Sequence, residues 1–419
     1  MKTCINSEFG KLEGVVIHRP GSEVENMTPE SAQRALYSDI LNLSVASKEY
    51  AQLEGVLQKV TSVHYVKNLL TEVLQDEQVK MELLNEICNN EGKDCNPMKL
   101  AENQPEILAG LLIEGVVLQK DNLTNYLSNE RFSVRPLHNL FFVRDSAMGM
   151  NGNMLIGKMA NPVREREALI LESVFNYHPL FETNVLNPAK PNPEIAFNPV
   201  ATIEGGDFLV ARRDVFVIGK GVRTNTQGID FIIENIKQLN TGPQHIIVQE
   251  LPVSPESFIH LDMVFTFLNV DSCMVFEPII KMSRLRTIHI VIDNQEVVKI
   301  EERPNILEAL QKLGIDVKPV FCGSKTDSWI QEREQWHSGA NFFAFAPGKV
   351  IGYERNSHTI DELSNSGFEV LKAAEVIEGK ISVEDYKKCV VMIPGSELAR
   401  GGGGARCMTM PVRRGEVEW

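Results

Sequence analysis

An α/β fold of radially repeated units is what this 419-residue sequence predicts, on three observations. Four times after residue 131, an apolar strand, a tight polar turn and a second apolar strand recur. A helix-like segment follows each of them. Between residues 67 and 130 the pattern is a run of amphipathic helices, read as an insertion into the repeating body. Radial repetition leaves only short, protected sheet edges, whereas a doubly wound sheet, the competing fold, wants single strands alternating with helices.

Taken in order, Leu12–Arg19 (LEGVVIHR) reads as a strand closed by Pro20. Pro29 suits a first helical position after Thr28. Ser31–Leu43 and Ser47–Lys59 carry apolar residues at helical spacing, and Ser62–Val66 is a short β-like piece. The insertion's helices are expected at Leu69–Asn89, Lys99–Leu112 and Val117–Leu127. The hairpin turns are Asn151-Gly152-Asn153, Arg212–Asp214, Val270–Ser272 and Pro347-Gly348. Helices follow at Arg164–Tyr177, Gln227–Leu239, Asn305–Leu313 (after an extra strand, Thr287–Ile292) and Thr359–Ala373. The N-terminal strand and a C-terminal one, Val390–Pro394, are expected to close a fifth unit. The division is therefore 1–66 with 131–419 as the catalytic body and 67–130 as the insertion. That insertion would cover the site or mediate assembly, and a homo-oligomer is expected.

Composition narrows the function. A net charge of −14 argues against nucleic acid as a partner and mildly favours a cationic substrate. No apolar run approaches the ~20 residues that span a bilayer. The opening MKTCINSEFGKLEG has no apolar signal region, so a cytoplasmic, membrane-free protein is expected. Seven cysteines without pattern suggest reduced thiols. Cys88 and Cys95 stand too far from other Cys or His to form a zinc knuckle.

The chemistry centres on Gly401–Pro411, GGGGARCMTMP. Four glycines let the backbone approach a ligand, and Arg406 beside Cys407 would favour thiolate. A mobile linker before an inert core cysteine is the plainer alternative. Polar motifs precede each hairpin: Arg144-Asp145, Glu204-Gly205-Gly206-Asp207, His260-Leu261-Asp262 and Trp336-His337-Ser338-Gly339. Singly, each reads as a turn, a cap or a hydrogen-bonded core histidine. If the units pack radially, these positions converge. A thiol, an imidazole and several acids can serve nucleophilic catalysis or bind a metal, though neither HExxH nor paired CxxC spacing is present. Carboxylates facing a thiol raise its pKa, which is useful only when the substrate is itself a cation. A guanidinium meets that condition, being planar and matched bidentately by carboxylates.

The ordered set Asn139, Phe142, Arg144-Asp145, Glu204-Gly205-Gly206-Asp207, His260-Leu261-Asp262 and Gly403–Met408 resembles bacterial arginine deiminases over nearly the whole chain. The resemblance implies the guanidine-modifying (pentein-type) fold, a five-unit α/β propeller. It also implies hydrolysis of L-arginine to L-citrulline and ammonia with no metal or cofactor. It makes Cys407 the nucleophile and His260 the general acid and base. Asp145 and Asp262 would hold the guanidinium, with Glu204 bridging substrate and histidine. Arg164 and Arg223, assisted by Asn139, would bind the α-carboxylate, and Phe142 belongs to the same substrate-binding set. Val143 stands where some members carry threonine, and Met263 follows Asp262 where threonine is common. Gly402 replaces a gating arginine, a role left to Arg400 or Arg406. An amidinotransferase and a metal-dependent amidohydrolase using His260, Asp262 and Glu204 are the rival readings.

Overall fold

Turn chemistry sets the hairpins. Asn151 takes φ 54° between Ala147–Met150 and Asn153–Ile156, and Gly348 takes φ 72° between Phe343–Ala346 and Lys349–Tyr353. Asn and Gly adopt that left-handed backbone at least cost. The computed structural model describes the chain except residues 30–31, 33–36, 38, 92–94, 196–197, 239–241 and 283. The expected helix Ser31–Leu43, with Pro29 at its start, falls largely outside the described residues.

Five sheets of the described residues share one plan: an antiparallel pair, a helix, then a strand parallel to the second of the pair. In the first, Ala147–Met150 pairs with Asn153–Ile156, helix Glu165–Tyr177 follows, and Asn184–Leu186 returns parallel. The second joins Phe208–Arg212, Val215–Lys220, helix Thr226–Lys237 and Gln244–Glu250, and is widened by Thr287–Asp293 and Glu296–Arg303. The third uses Phe265–Asn269, Ser272–Val275, helix Ile306–Lys312 and Lys318–Phe321. The fourth sets Cys389–Ile393 beside Lys349–Tyr353, with Glu369–Lys372 on its outer side. The fifth is assembled from both ends of the chain. Met410–Arg414 pairs antiparallel with Leu12–Ile17, helix Leu43–Val60 follows, and Ser62–Tyr65 returns parallel. The fold is thus mixed α/β.

Several expectations are corrected. The partner of the N-terminal strand is Met410–Arg414, and Val390–Pro394 belongs to the fourth sheet. MPVRR looks unlike a strand, but Arg414 is buried by donating to the Gly10 carbonyl at 2.8 Å. Thr359–Ala373 is not one helix. Ser357–Asn365 ends before Gly367 at φ 86°, then Glu369–Lys372 and helix Ala373–Ile377 follow. Leu69–Asn89 divides into Val66–Val73 and Glu77–Glu91. Lys99–Leu112 divides into Pro97–Ala101 and Pro105–Glu114, each with proline at its first position. Val117–Leu127 holds a strand residue pairing with Phe132 and a short helix, Leu123–Leu127. Cys88 and Cys95 are disulfide-bonded, against the expectation of seven reduced thiols. Cys88 stands on helix Glu77–Glu91, and its Cα lies 5.0 Å from that of Cys95, within disulfide reach.

Leu69, Leu70, Leu84 and Ile87 of the inserted helices share one core with Met154, Ile170 and Met410. This apolar contact seats these helices on the first and fifth sheets.

Candidate active site

Three sheets begin in the same way. A single 3-10 turn precedes the first strand of each: Val143–Asp145, Gly205–Asp207 and Leu261–Met263. Gly–Gly at 205–206 makes their mutual approach possible, since a Cβ on Gly206 would lie 2.5 Å from the His260 ring. The turns are stitched by side chains, with Gly206 N–H donating to Asp145 Oδ1 (3.2 Å) and Leu261 N–H to Asp207 Oδ1 (2.8 Å). In the fourth sheet the corresponding place is held by Asn341, and in the fifth by Cys407. Asp145, Asp207, Asp262 and Cys407 thus meet because each stands one to three residues before an equivalent strand.

His260 lies buried between acids. Its Nε2 is 2.9 Å from Glu204 Oε2, and its Nδ1 is 3.7 Å from Asp145 Oδ1. Burial disfavours the imidazolium, but Asp145, the hydrogen bond to Glu204 and Asp207 outweigh it and raise His260 to about 9. Burial also works against the Glu204 and Asp145 carboxylates. His260 with Arg223 and Arg164 nonetheless holds both below their ordinary values. Asp207 is the exception: burial lifts it to about 7. Arg164 donates to Asp145 (2.6 Å), to both Glu167 oxygens and to the Phe142 carbonyl (3.2 Å). Arg223 is less enclosed and reaches Glu204 Oε1 only at 3.7 Å.

Cys407 Sγ stands 3.7 Å from Asp262 Oδ2 and 3.2 Å from Asn341 Nδ2. Burial, then Asp262 and Asp145, push its thiol well above the usual value. Arg406 acts in the expected direction, towards thiolate, but is outweighed by burial and the two carboxylates. Its guanidinium turns away, donating to Asp262 Oδ2 (2.9 Å), to both Glu8 oxygens (3.0 and 3.2 Å) and to the Phe208 carbonyl (2.8 Å). Asp262 is itself raised by burial.

A cavity of about 610 Å³ opens onto these groups. Asn139, Phe142, Asp145, Arg164, Arg223, His260 and Cys407 line it, and Glu204 and Asp262 sit fully buried behind His260 and Cys407. The glycine run forms one wall. A Cβ on Gly403 would meet the Phe142 ring at 2.5 Å, and Gly402 takes φ 84°. Of the two arginines left to gate the site, Arg406 is buried away from the cavity. Arg400 lines it, donating to Asp39 and Glu397. Trp336 and His337 also line the cavity, His337 Nδ1 lying 2.9 Å from the Arg333 carbonyl. Asn341, Glu8 and Glu167 escaped sequence reasoning. Asn341 could have been found from its place before the fourth hairpin, whereas nothing local marks Glu8.

Ligand atoms of Asp145, Glu204 and His260 lie within 4.8 Å of one another, a set able to hold a cation such as zinc. Here the imidazolium of His260 and the guanidinium groups of Arg164 and Arg223 already supply positive charge to both carboxylates.

The fold is shared with solved enzyme structures. The chain superposes with a TM-score of 0.54 at 12% identity on SxtG, an amidinotransferase from Microseira wollei, over 100% of this chain and 98% of that one. The N-terminal domain of ArgZ, an arginine dihydrolase from cyanobacteria, matches with a TM-score of 0.53 at 12% identity, over 96% and 98%. Sequence goes further: the profile of the family described as arginine deiminase matches residues 33–414. The arginine deiminase of Oenococcus oeni is 31% identical over 431 aligned positions, 99% of this chain and 98% of that one. The chain belongs to the arginine deiminase family.

Proposed function

We infer that this chain hydrolyses the guanidinium of free L-arginine to L-citrulline and ammonia through an S-alkylthiouronium intermediate on Cys407. One observation carries the reading: Cys407 and His260 line one cavity, the thiol 3.7 Å from the Asp262 carboxylate and the imidazole 2.9 Å from that of Glu204. Asp145 and Asp262 each already meet one arginine, Arg164 and Arg406, but Asp262 Oδ1 has no hydrogen-bond partner among the described residues and lacks a donor. A guanidinium supplies it, draws the Cys407 proton off to solvent and places its carbon beside the thiolate.

Cys407 then attacks that carbon, and protonated His260 gives its proton to the departing nitrogen, which leaves as ammonia. Neutral His260 takes a proton from water, and the hydroxide adds to the thiouronium carbon. Collapse returns the thiolate and citrulline, and the last proton ends on ammonia as ammonium. Dividing one hydrolysis into two steps is the benefit of covalent catalysis. Glu204 keeps the imidazole charged and oriented, Asp145 and Asp262 hold the guanidinium, and Phe142 walls the substrate. Arg223, with Arg164 and Asn139 beside it, receives the α-carboxylate.

We also read the five like-built sheets as the five units of a pentein-type propeller, with 67–130 as its insertion. The protein is assigned to the cytoplasm. Helix Leu123–Leu127 exposes Leu123, Tyr126 and Leu127, at 73%, 69% and 69%, which supports a homo-oligomer built through the insertion.

Ammonia release from arginine, with agmatine as control, tests the substrate. Two charge-assisted hydrogen bonds of about 1.5–3 kcal/mol each predict a kcat/KM for agmatine two to four orders lower. Comparable values would refute the carboxylate clamp. Acid quenching and intact-mass measurement should show an adduct on the Cys407 peptide carrying the whole amino-acid skeleton. A bare amidino adduct with free ornithine would make the chain an amidinotransferase. Activity lost on chelation and restored by metal would favour the amidohydrolase.

A further inference from the structure

We propose that Asn341 is a further catalytic residue: its side-chain amide donates a hydrogen bond to Cys407 Sγ and so holds the nucleophile ready in both half-reactions. The proposal rests on the reading of Cys407 as nucleophile. Asn341 is 1% exposed and stands two residues before strand Phe343–Ala346, where the other sheets place Asp145, Asp207, Asp262 and Cys407. The fourth unit therefore contributes to the site as the others do, with a neutral group in place of a charged one.

Which end of the amide faces the sulfur is settled by its neighbours. Oδ1 accepts from the backbone N–H of Arg406 (2.9 Å) and of Cys407 (3.2 Å), so it cannot be the NH2 end. Nδ2 is left to donate to Sγ (3.2 Å), to the Asp262 carbonyl (3.3 Å) and to Met263 Sδ (3.7 Å). One side chain thus fixes the backbone of the nucleophile and touches its reacting atom. The glycine run is shaped for this contact, because a Cβ on Gly404 would lie 2.7 Å from both Cβ and Oδ1 of Asn341.

The physical need is plain. Asp262 and Asp145 oppose charge on the sulfur, and Arg406 is spent on Glu8 and Asp262. A donor on Sγ stabilises the thiolate twice, first as it forms for attack and again as it leaves the thiouronium carbon. An amide neither gains nor loses a proton here, so His260 keeps the acid–base work.

Asn341→Asp separates the two tasks in the full-length enzyme. It is isosteric and keeps an oxygen for the two backbone donors, but replaces the NH2 facing Sγ with a second oxygen. We measure the pH dependence of Cys407 alkylation by iodoacetamide, mapping the labelled peptide by mass, together with kcat and KM for arginine. The alkylation midpoint should rise by about one to two pH units, the worth of one charge-assisted hydrogen bond. kcat should fall at least tenfold with KM changed less. Asn341→Ser, too short to reach the sulfur, should move both readouts in the same direction and serves if the Asp variant misfolds. A wild-type alkylation profile with kcat within twofold, in whichever variant folds, overturns the proposal. Labelling that falls on another cysteine, with turnover retained by Cys407→Ala, overturns the reading of the nucleophile and this proposal with it. A labelled Cys407 with unchanged variant profiles overturns the role of Asn341 alone.

Discussion

Glu8 lies 398 positions from Arg406, yet the two form a buried ion pair that sets where Asp262, and through it Cys407, can sit. Burial opposes the Glu8 carboxylate, but Arg406, Arg144 and Arg414 hold it down to about 2. Removing one partner of such a pair leaves the other charges unanswered, at a cost of about 3–5 kcal/mol. Glu8→Gln should lose roughly that much in urea unfolding at pH 7. The sign follows from a folded value below the ordinary 4.5: the stability is present above pH 4.5 and is lost as pH falls through about 2. The gap between wild type and variant should therefore narrow in acid, and a gap constant from pH 7 to 3 would contradict the pairing. At Cys407 the expectation differs. Cys407→Ala removes a buried group bonded to one amide, so unfolding should change little while turnover disappears. Cys273 and Cys322, buried without charged partners that lower them, should each be replaceable by Ser or Ala with turnover retained.

The elements that matter most are the short ones. Single 3-10 turns at Val143–Asp145, Gly205–Asp207 and Leu261–Met263 aim the acids and the histidine, while the longer strands and helices hold those turns at a fixed spacing. Gly206 shows how tight that spacing is. A methyl there would lie 2.5–2.8 Å from three His260 ring and Cβ atoms, closer than any carbon tolerates. His260 would have to leave Glu204, so Gly206→Ala should lower kcat about a hundredfold, the scale for a misplaced acid–base group. Gly242→Ala, with nothing within 4 Å, offers the control for a positive-φ glycine far from the site, costing stability at φ 87° and sparing kcat. Equal kcat losses in both variants would sink the argument.

At the scale of the whole molecule, the charge buried around His260 makes activity and stability share one titration. His260 is raised from 6.5 to about 9, so its pairing contributes stability fully below pH 6.5 and loses it as pH rises through about 9. Wild-type Tm should fall between pH 7 and 10 more than that of His260→Asn. kcat/KM should decline over the same interval as the general acid loses its proton. Glu204→Gln removes a hydrogen-bonding carboxylate from the imidazole and should draw the alkaline limb of kcat/KM to lower pH. An unmoved limb would assign it to another group. Assembly is tested by light scattering: Tyr126→Glu with Leu127→Glu should reduce the molar mass if the insertion carries the contact, and leave kcat unchanged.

Sequence alone determined the hairpins, since Asn151, Pro347-Gly348 and alternating apolar strands are local signals that tertiary context seldom overrides. The resemblance of its motifs to a family also proposed Cys407, His260, Glu204, Asp145 and Asp262 as the reactive set, and these residues lie together at one cavity. Gly367, at φ 86°, is a helix end that the sequence marks, although apolar spacing continues beyond it. What only the tertiary structure decided are the partnerships of groups far apart along the chain. Met410–Arg414 became the strand beside Leu12–Ile17 because a buried arginine found the Gly10 carbonyl, a contact no periodicity encodes. Arg406 turned from its neighbour Cys407 toward Glu8 and Asp262, because a buried guanidinium goes where carboxylates answer it. Asn341 has no charge or reactivity to mark it, so in the sequence only its place before the fourth hairpin could have pointed to it. Only its position, with Oδ1 on two backbone N–H groups and Nδ2 on sulfur, gives it a role.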